Sequence, residues 1–221
     1  MPDPHRIERE LREILSQPRY TALLAKQTQF REKPITAALL AQQTAERIMR
    51  DSPFDGEVTV EEIKGGHGAE LYRGFDGIGG FRVGLQAAMT LGAFWCDRDL
   101  VENIWDATAG VSGPAREQAF FDFLRSAMFV HPEWNRLTDI ACMSIPAGNW
   151  VPVAKGKGSW RSMRQQPGRK VQTPQIRTAG DVIDRLGWMP IPGPHQYLLP
   201  LVNDMSVNKV PRLHPSWPLW T

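Results

Sequence analysis

Apolar residues recur at helical spacing through the N-terminal fifty residues. Ile7, Leu11 and Leu15 are four residues apart with charged residues between them, as in a helix that buries one face. Pro18 ends this helix, and Pro34 suits the first turn of a later one. We therefore predict three helices, over residues 7–15, 19–31 and 34–50.

The apolar spacing changes after residue 55. The stretch GEVTVEEIKGG, residues 56–66, places Val58, Val60 and Ile63 between glycines and is the best strand candidate in the chain. Eight glycines among residues 65–84 predict a loop or a pair of short strands with tight turns.

The middle of the chain returns to helical patterns. Residues 81–95 are mostly apolar and predict a buried helix, and residues 100–107 and 115–129 extend the helical region. Pro114 suits the first turn of the last of these helices. Residues 138–145 predict a second strand.

The amino-acid composition changes at Pro146. From Pro146 onward the chain holds eleven of the 18 prolines and five of the eight tryptophans, and only residues 180–187 have a helical pattern. Proline removes backbone donors and favours extended conformations. We predict an α+β fold, with a helical N-terminal part and central helices around a small sheet in a body over 1–146. Residues 147–221 then form a basic, Pro/Trp-rich extended arm packed on the body or on a partner.

Composition narrows the functional classes. There is no apolar run near 18 residues and no apolar stretch at the N-terminus, so we expect neither membrane contact nor a secretory signal. Cys96 and Cys142 are far apart, and the five histidines form no metal-binding motif. These features predict a cytoplasmic protein without a bound cofactor.

The small net charge of +2 hides an asymmetry along the chain. Residues 151–221 contain ten Lys and Arg against three Asp, whereas residues 1–150 contain 16 basic and 21 acidic residues. A basic segment attached to an acidic body is typical of a protein that contacts a polyanion or an acidic partner.

The basic charge is densest in KGKGSWRSMRQQPGRK, residues 155–170. Seven Lys and Arg and no acid occur between residues 155 and 177. Glycines at 156, 158 and 168 would let the backbone lie close to phosphates, and the tryptophan could stack on an unpaired base. The nucleic-acid-binding residues predicted for this loop are Lys155, Lys157, Trp160, Arg161, Arg164, Arg169, Lys170 and Arg177.

The predicted strand over 56–66 carries a second chemical pattern. Glu62-Ile63-Lys64, with Asp51 or Asp55 upstream, resembles the metal-binding core of PD-(D/E)xK nucleases. The resemblance implies that two carboxylates hold a divalent cation such as Mg²⁺ and that the lysine assists the attacking water. The sequence departs from the family pattern at Glu61, where an apolar residue is usual.

Three functions therefore stay open at this stage. The leading hypothesis is a nucleic-acid-binding protein, for DNA or RNA, that works with other subunits in a nucleoprotein assembly. The first alternative is a small Mg²⁺-dependent nuclease, and the second is a structural assembly subunit without nucleic-acid contact.

Overall fold

Three helices form the N-terminal part of the chain, in agreement with its apolar spacing. They are α1 (Pro4–Leu15), α2 (Pro18–Thr28) and α3 (Ala37–Asp51). The Asp3 carboxylate caps α1 by accepting hydrogen bonds from two backbone N–H groups of its first turn. The computed structural model describes residues 2–28, 34–51, 53–77, 94–130, 137–159, 195–201 and 206–209.

The start of α3 differs from the prediction. Pro34 precedes the helix instead of occupying its first turn. The hydroxyl of Thr36 accepts a hydrogen bond from the backbone N–H of Leu39 at 3.1 Å, so Thr36 acts as the N-cap. The prediction was wrong because a threonine two residues after the proline is the stronger helix start.

The described strands form two antiparallel sheets. The first sheet has four strands in the order β1-β5-β6-β3, and the second has three in the order β2-β4-β7. The strand predicted over 56–66 is β1, and the one predicted over 138–145 is β4. The strands are β1 (Phe54–Lys64), β2 (Glu70–Phe75), β3 (Phe94–Trp95), β4 (Asp139–Ser144), β5 (Trp150–Gly158), β6 (His195–Leu198) and β7 (Ser206–Lys209).

A sharp corner links the two sheets. The segments 65–69 and 145–149 join β1 to β2 and β4 to β5, so the corner is made by two bent strands that stay paired. Gly65 donates a backbone hydrogen bond to Asn149 at 2.8 Å, and Ile145 donates one to Ala69 at 2.9 Å. A Cβ atom at Gly65 would lie 2.0 Å from the carbonyl oxygen of Pro146, so the crossing requires glycine.

Within the described ranges, a single pair of residues joins the sheets at the opposite side. Tyr72 of β2 and Cys96, which follows β3, exchange backbone hydrogen bonds of 2.8 Å. Tyr72 also pairs with Cys142 on its other side, so the Cα atoms of Cys96 and Cys142 are two strand spacings apart, about 9.5 Å. That separation is too large for a disulfide, and both cysteines are free.

Helices cover the outer faces of both sheets. The helices α1 and α3 bury Ile7, Leu11 and Ile48 against Val58 and Ala154 of the first sheet. On the second sheet the cover consists of α4 (Arg98–Ala107) and α5 (Pro114–Met128), close to the predicted helical ranges. A third apolar cluster fills the space between the sheets and contains residues from both: Leu71, Phe75, Trp95, Ala141, Met143, Val151, Val153 and Tyr197.

Two predictions for the second half of the chain need correction. Phe94 and Trp95 form β3, so the helix predicted over 81–95 is wrong at its end, and residues 81–93 lie outside the described ranges. The described parts of 147–221 are strands that pair with the body, including β5 between β1 and β6. The boundary at residue 147 therefore separates strands that share one sheet.

The α+β class is confirmed by these five helices and two antiparallel sheets among the described residues. None of the helices within the described ranges combines the length and apolar character needed to cross a bilayer.

Candidate nucleic-acid interface

The strand β5 passes from the apolar core to an open, basic end. On its inner face, which points toward the second sheet, Val151 and Val153 are buried in the cluster between the sheets. Further along the same face, Lys155 is half-buried and Lys157 is exposed. Alternate residues of a strand share a face. Lys155 and Lys157 therefore continue the spacing of Val151 and Val153, at the end of β5 that the second sheet no longer covers.

His195 of β6 extends this polar end of the inner face to the next strand. It is exposed and pairs with Lys157 in the antiparallel register, so both side chains lie on the inner face. The Cα atoms of Lys155 and Lys157 are separated by about 6.6 Å, two steps along a strand. We call the three residues Lys155, Lys157 and His195 the basic face.

Lys155 is held by its neighbours on the inner face. Its Nζ lies 3.3 Å from Oε1 of Glu61 and 5.4 Å from the centre of the Tyr197 ring. The Tyr197 hydroxyl donates to Oδ2 of Asp97 at 3.3 Å. Burial, followed by the negative charge of Asp97, raises the pKa of Tyr197, so this tyrosine stays neutral and keeps the hydrogen bond.

The glycines of the basic segment serve packing in the described part. A Cβ atom at Gly156 would lie 2.8 Å from the Phe54 ring, and one at Gly158 would lie 2.5 Å from Nε2 of Gln196. The prediction of a loop from residue 155 onward is therefore wrong for residues 155–158, which are strand, and phosphate binding by these residues stays a prediction. Glycine appears here because neighbouring side chains approach the backbone closely.

Most of the predicted binding residues lie outside the described ranges. Of the eight, the structure describes only Lys155 and Lys157. Both lie on one strand face, as a shared ligand would require. The six that lie outside are Trp160, Arg161, Arg164, Arg169, Lys170 and Arg177.

Glu62 and Lys64 share the outer face of β1, as their spacing predicts, but α2 covers Glu62. The Glu62 carboxylate accepts hydrogen bonds from the Arg19 guanidinium and, at 2.6 Å, from the Tyr20 hydroxyl. Burial and the hydrogen bond to Glu62 raise the pKa of Tyr20, so the tyrosine stays a donor at neutral pH. The Lys64 ammonium lies 5.6 Å from the centre of the Trp150 ring.

The two aspartates of the nuclease hypothesis lie elsewhere. Asp51 ends α3 and forms ion pairs with Arg47 and Arg50, and Asp55 accepts a hydrogen bond from the Ser159 hydroxyl at 3.1 Å. Asp55 and Glu62 are seven residues apart on one strand, roughly 20 Å, whereas ligands of one Mg²⁺ ion lie about 2.1 Å from it.

The structure therefore does not bring the four proposed nuclease residues together. In addition, no group of three or more His, Cys, Asp or Glu side chains among the described residues could hold a metal ion. The nuclease alternative has no assembled site in the described part of the chain and stays a prediction.

Sequence reasoning did not identify the residues that surround the basic face. Glu61 was noted only as a departure from a nuclease pattern, yet its carboxylate is the ion-pair partner of Lys155. The sequence did contain an indication of this position. Glu61 and Ile63 are two residues apart on one strand, so their side chains lie on the same, inner face. His195 and Tyr197 have the same alternation, but the five residues between Pro194 and Pro200 are too few to predict a strand.

Comparisons with protein-family models, with curated proteins and with solved structures find no match for this chain.

Proposed function

We propose that this protein binds nucleic acid through the phosphate backbone, at the basic face and along the segment that follows it. The observation that carries the proposal is the change of character along β5, from buried valines to Lys155 and the exposed Lys157 on the same face. The apolar core does not require lysines there. Their position on one face suits successive phosphates of a strand laid along β5.

The sequence adds to this argument. The strand β5 leads directly into residues 160–177, which contain five more Lys and Arg and no acid. Arginine and lysine make charge-assisted hydrogen bonds to phosphate oxygens, and such contacts give affinity without base specificity. The protein would then act on DNA or RNA as a subunit of a larger nucleoprotein assembly, in the cytoplasm.

The ion pair between Lys155 and Glu61 is compatible with this role. The Glu61 side chain is 43% exposed, so the pair is open to water. An exposed pair of this kind contributes about 0–1 kcal/mol, which a phosphate can replace. Lys157 and His195 are exposed and need no rearrangement of the backbone to contact a ligand.

The test is a salt titration of binding to labelled single- and double-stranded DNA and RNA, followed by fluorescence anisotropy. The logarithm of the association constant should fall linearly with the logarithm of salt concentration, by about 0.7 to 0.9 per phosphate neutralised. Lys157→Ala should lower affinity for all sequences alike and reduce the slope by about one phosphate contact. Arg161→Ala and Arg164→Ala test the segment outside the described ranges in the same way.

Trp160→Ala separates stacking from charge. If the indole stacks on bases, this change should cost roughly 1–3 kcal/mol on single strands and much less on duplex. The matched control is Arg9→Ala on α1, an exposed cation on the outer side of the first sheet, which should leave binding unchanged. Absence of binding at low salt, or Lys157→Ala binding as well as the parent, would refute the proposal and favour a structural subunit.

A further inference from the structure

A second candidate site lies on the opposite side of the first sheet. A cavity of about 390 Å³ opens between α3 and the end of β6. That volume is within the range of small-molecule sites in proteins. Apolar side chains of Leu40, Leu198 and Pro200 line part of it, and Arg47 and Arg50 lie on its α3 side.

The helical pattern explains why aliphatic and cationic residues meet there. Leu40, Thr44, Arg47 and Arg50 follow each other at spacings of four, three and three residues, so they form one stripe along α3. The stripe begins with a buried leucine and ends with two arginines. A ligand in the cavity would therefore meet apolar carbon at one end and guanidinium at the other.

The Arg47 side chain has a hydrogen-bonding capacity that the described structure leaves unused. Its Nε atom is buried without a hydrogen-bond partner, although it lies 3.4 Å from Oδ2 of Asp51 as an ion pair. The guanidinium carbon lies 5.5 Å from the centre of the Phe94 ring. Arg47 therefore brings an unsatisfied donor to the cavity wall.

Two of the three charged residues that line the cavity, Arg47 and Arg50, are cationic, and the third is Glu46. Burial, followed by the positive charge of Arg47, lowers the pKa of Arg73 on β2 to about 10. Asp51 is shared between Arg47 and Arg50 and offsets only part of their charge. The other acid at the cavity, Glu46, accepts a hydrogen bond from Gln42 at 2.9 Å.

We infer that this cavity binds a small organic anion whose carboxylate or phosphate group contacts Arg47 and Arg50 and whose apolar part lies on Leu40, Leu198 and Pro200. The inference is independent of nucleic-acid binding, because the basic face lies on the inner side of the same sheet. Guanidinium groups bind either kind of head group through paired hydrogen bonds, so the test includes both.

The test uses isothermal titration calorimetry of the full chain with phenyl phosphate, hexanoate and inorganic phosphate. We expect phenyl phosphate or hexanoate to bind with a dissociation constant of about 1 mM or lower. Inorganic phosphate should bind more weakly than phenyl phosphate, because it cannot use the apolar wall. A preference between phenyl phosphate and hexanoate identifies the head group.

Variants locate the site. Arg47→Met keeps the aliphatic stem and should weaken binding about tenfold or more, and Arg50→Met, at a 61% exposed side chain, should weaken it without affecting folding. Arg12→Met on α1 removes the same charge elsewhere and should have no effect. No binding of any of the three compounds, or unchanged binding by both Arg47→Met and Arg50→Met, would overturn the inference. Binding of single-stranded DNA should be unaffected by Arg47→Met, which distinguishes this site from the basic face.

Discussion

The outer and inner faces of the β1–β5 strand pair use neighbouring glutamates in different ways. On the outer face, Glu62 lies under α2, is 15% exposed, and accepts hydrogen bonds from Arg19 and Tyr20. On the inner face, Glu61 is 43% exposed and meets Lys155 alone among the ion pairs of the described residues. One residue step along a strand therefore separates a structural acid from one that adjusts the charge of an open surface.

The difference follows from what covers each face. A helix on the outer face excludes water from Glu62, so the carboxylate must be satisfied by protein donors and is held in place. Among the described residues the inner face is covered as far as Val153, and beyond that point Lys155 is half-buried and Lys157 is exposed. A charged side chain on the open part of the inner face can contact a ligand, whereas the carboxylate under α2 is already bound by protein donors.

The largest expected difference between the faces is in stability. Glu62→Ala leaves the buried Tyr20 hydroxyl without its acceptor and should lower the free energy of unfolding by about 2 kcal/mol. Glu61→Ala breaks a partly exposed pair and should change it by about 0–1 kcal/mol. Urea denaturation followed by tryptophan fluorescence measures both. Equal losses in the two variants would contradict the distinction between the faces.

The tyrosines provide a second comparison, because Tyr20 on the outer face and Tyr197 on the inner face both have raised pKa values. Folding keeps them protonated, so their contribution is complete below the unfolded pKa of about 10 and is lost as pH rises above it. Each should cost about 1 kcal/mol of stability between pH 10 and pH 11.

The measurement is the free energy of unfolding at pH 9, 10 and 11 in the parent, Tyr20→Phe and Tyr197→Phe. The free energy of unfolding of each variant should fall less steeply with pH than that of the parent, and the difference in slope should correspond to one proton. Tyrosinate absorbance of the native protein near pH 10 gives an independent check, because neither residue should be ionised there. A native tyrosinate signal there would show that the corresponding face is open to water.

The smallest expected effect concerns affinity and applies if the nucleic-acid proposal holds. Glu61→Gln frees Lys155 from its ion pair and should raise affinity for single-stranded DNA about two- to fivefold at low salt, with the gain vanishing at high salt. Glu62→Gln, one residue away on the outer face, should not change affinity. Weaker binding by Glu61→Gln would mean that the acid positions Lys155 for its ligand instead of competing with that ligand.

The sequence predicted the elements whose periodicity is long and uninterrupted. Apolar residues such as Ile7 and Leu11 indicate α1, and the valines of β1 indicate the strand, because both patterns extend over several repeats. It did not predict β5 because Pro152 and two glycines interrupt its apolar pattern. Pro152 is tolerated because β6 pairs only with residues 154–157 of β5. No residue of β6 therefore requires a backbone N–H from position 152.

The candidate sites show the same limit. The shared face of Glu62 and Lys64 could be predicted from a spacing of two, but the arrival of Arg19 and Tyr20 from α2 could not, since it depends on how a helix packs. The same is true of Arg47 and Arg50, whose spacing indicates a common helix face but not the end of β6 opposite them. Contacts between elements distant in sequence are set by the whole fold and not by local pattern.

The pairing of β1 with β5 has a consequence for how the chain folds. Thr59 and Lys155 are 96 residues apart in sequence yet adjacent in the first sheet. At a synthesis rate of about 5–20 residues per second, β1 would wait roughly 5–20 seconds on the ribosome for its partner strand. Until then its valines and the apolar side of α1 have no sheet to bury against. We therefore expect slow folding with many long-range contacts, and a nascent chain that depends on chaperones before β5 is made.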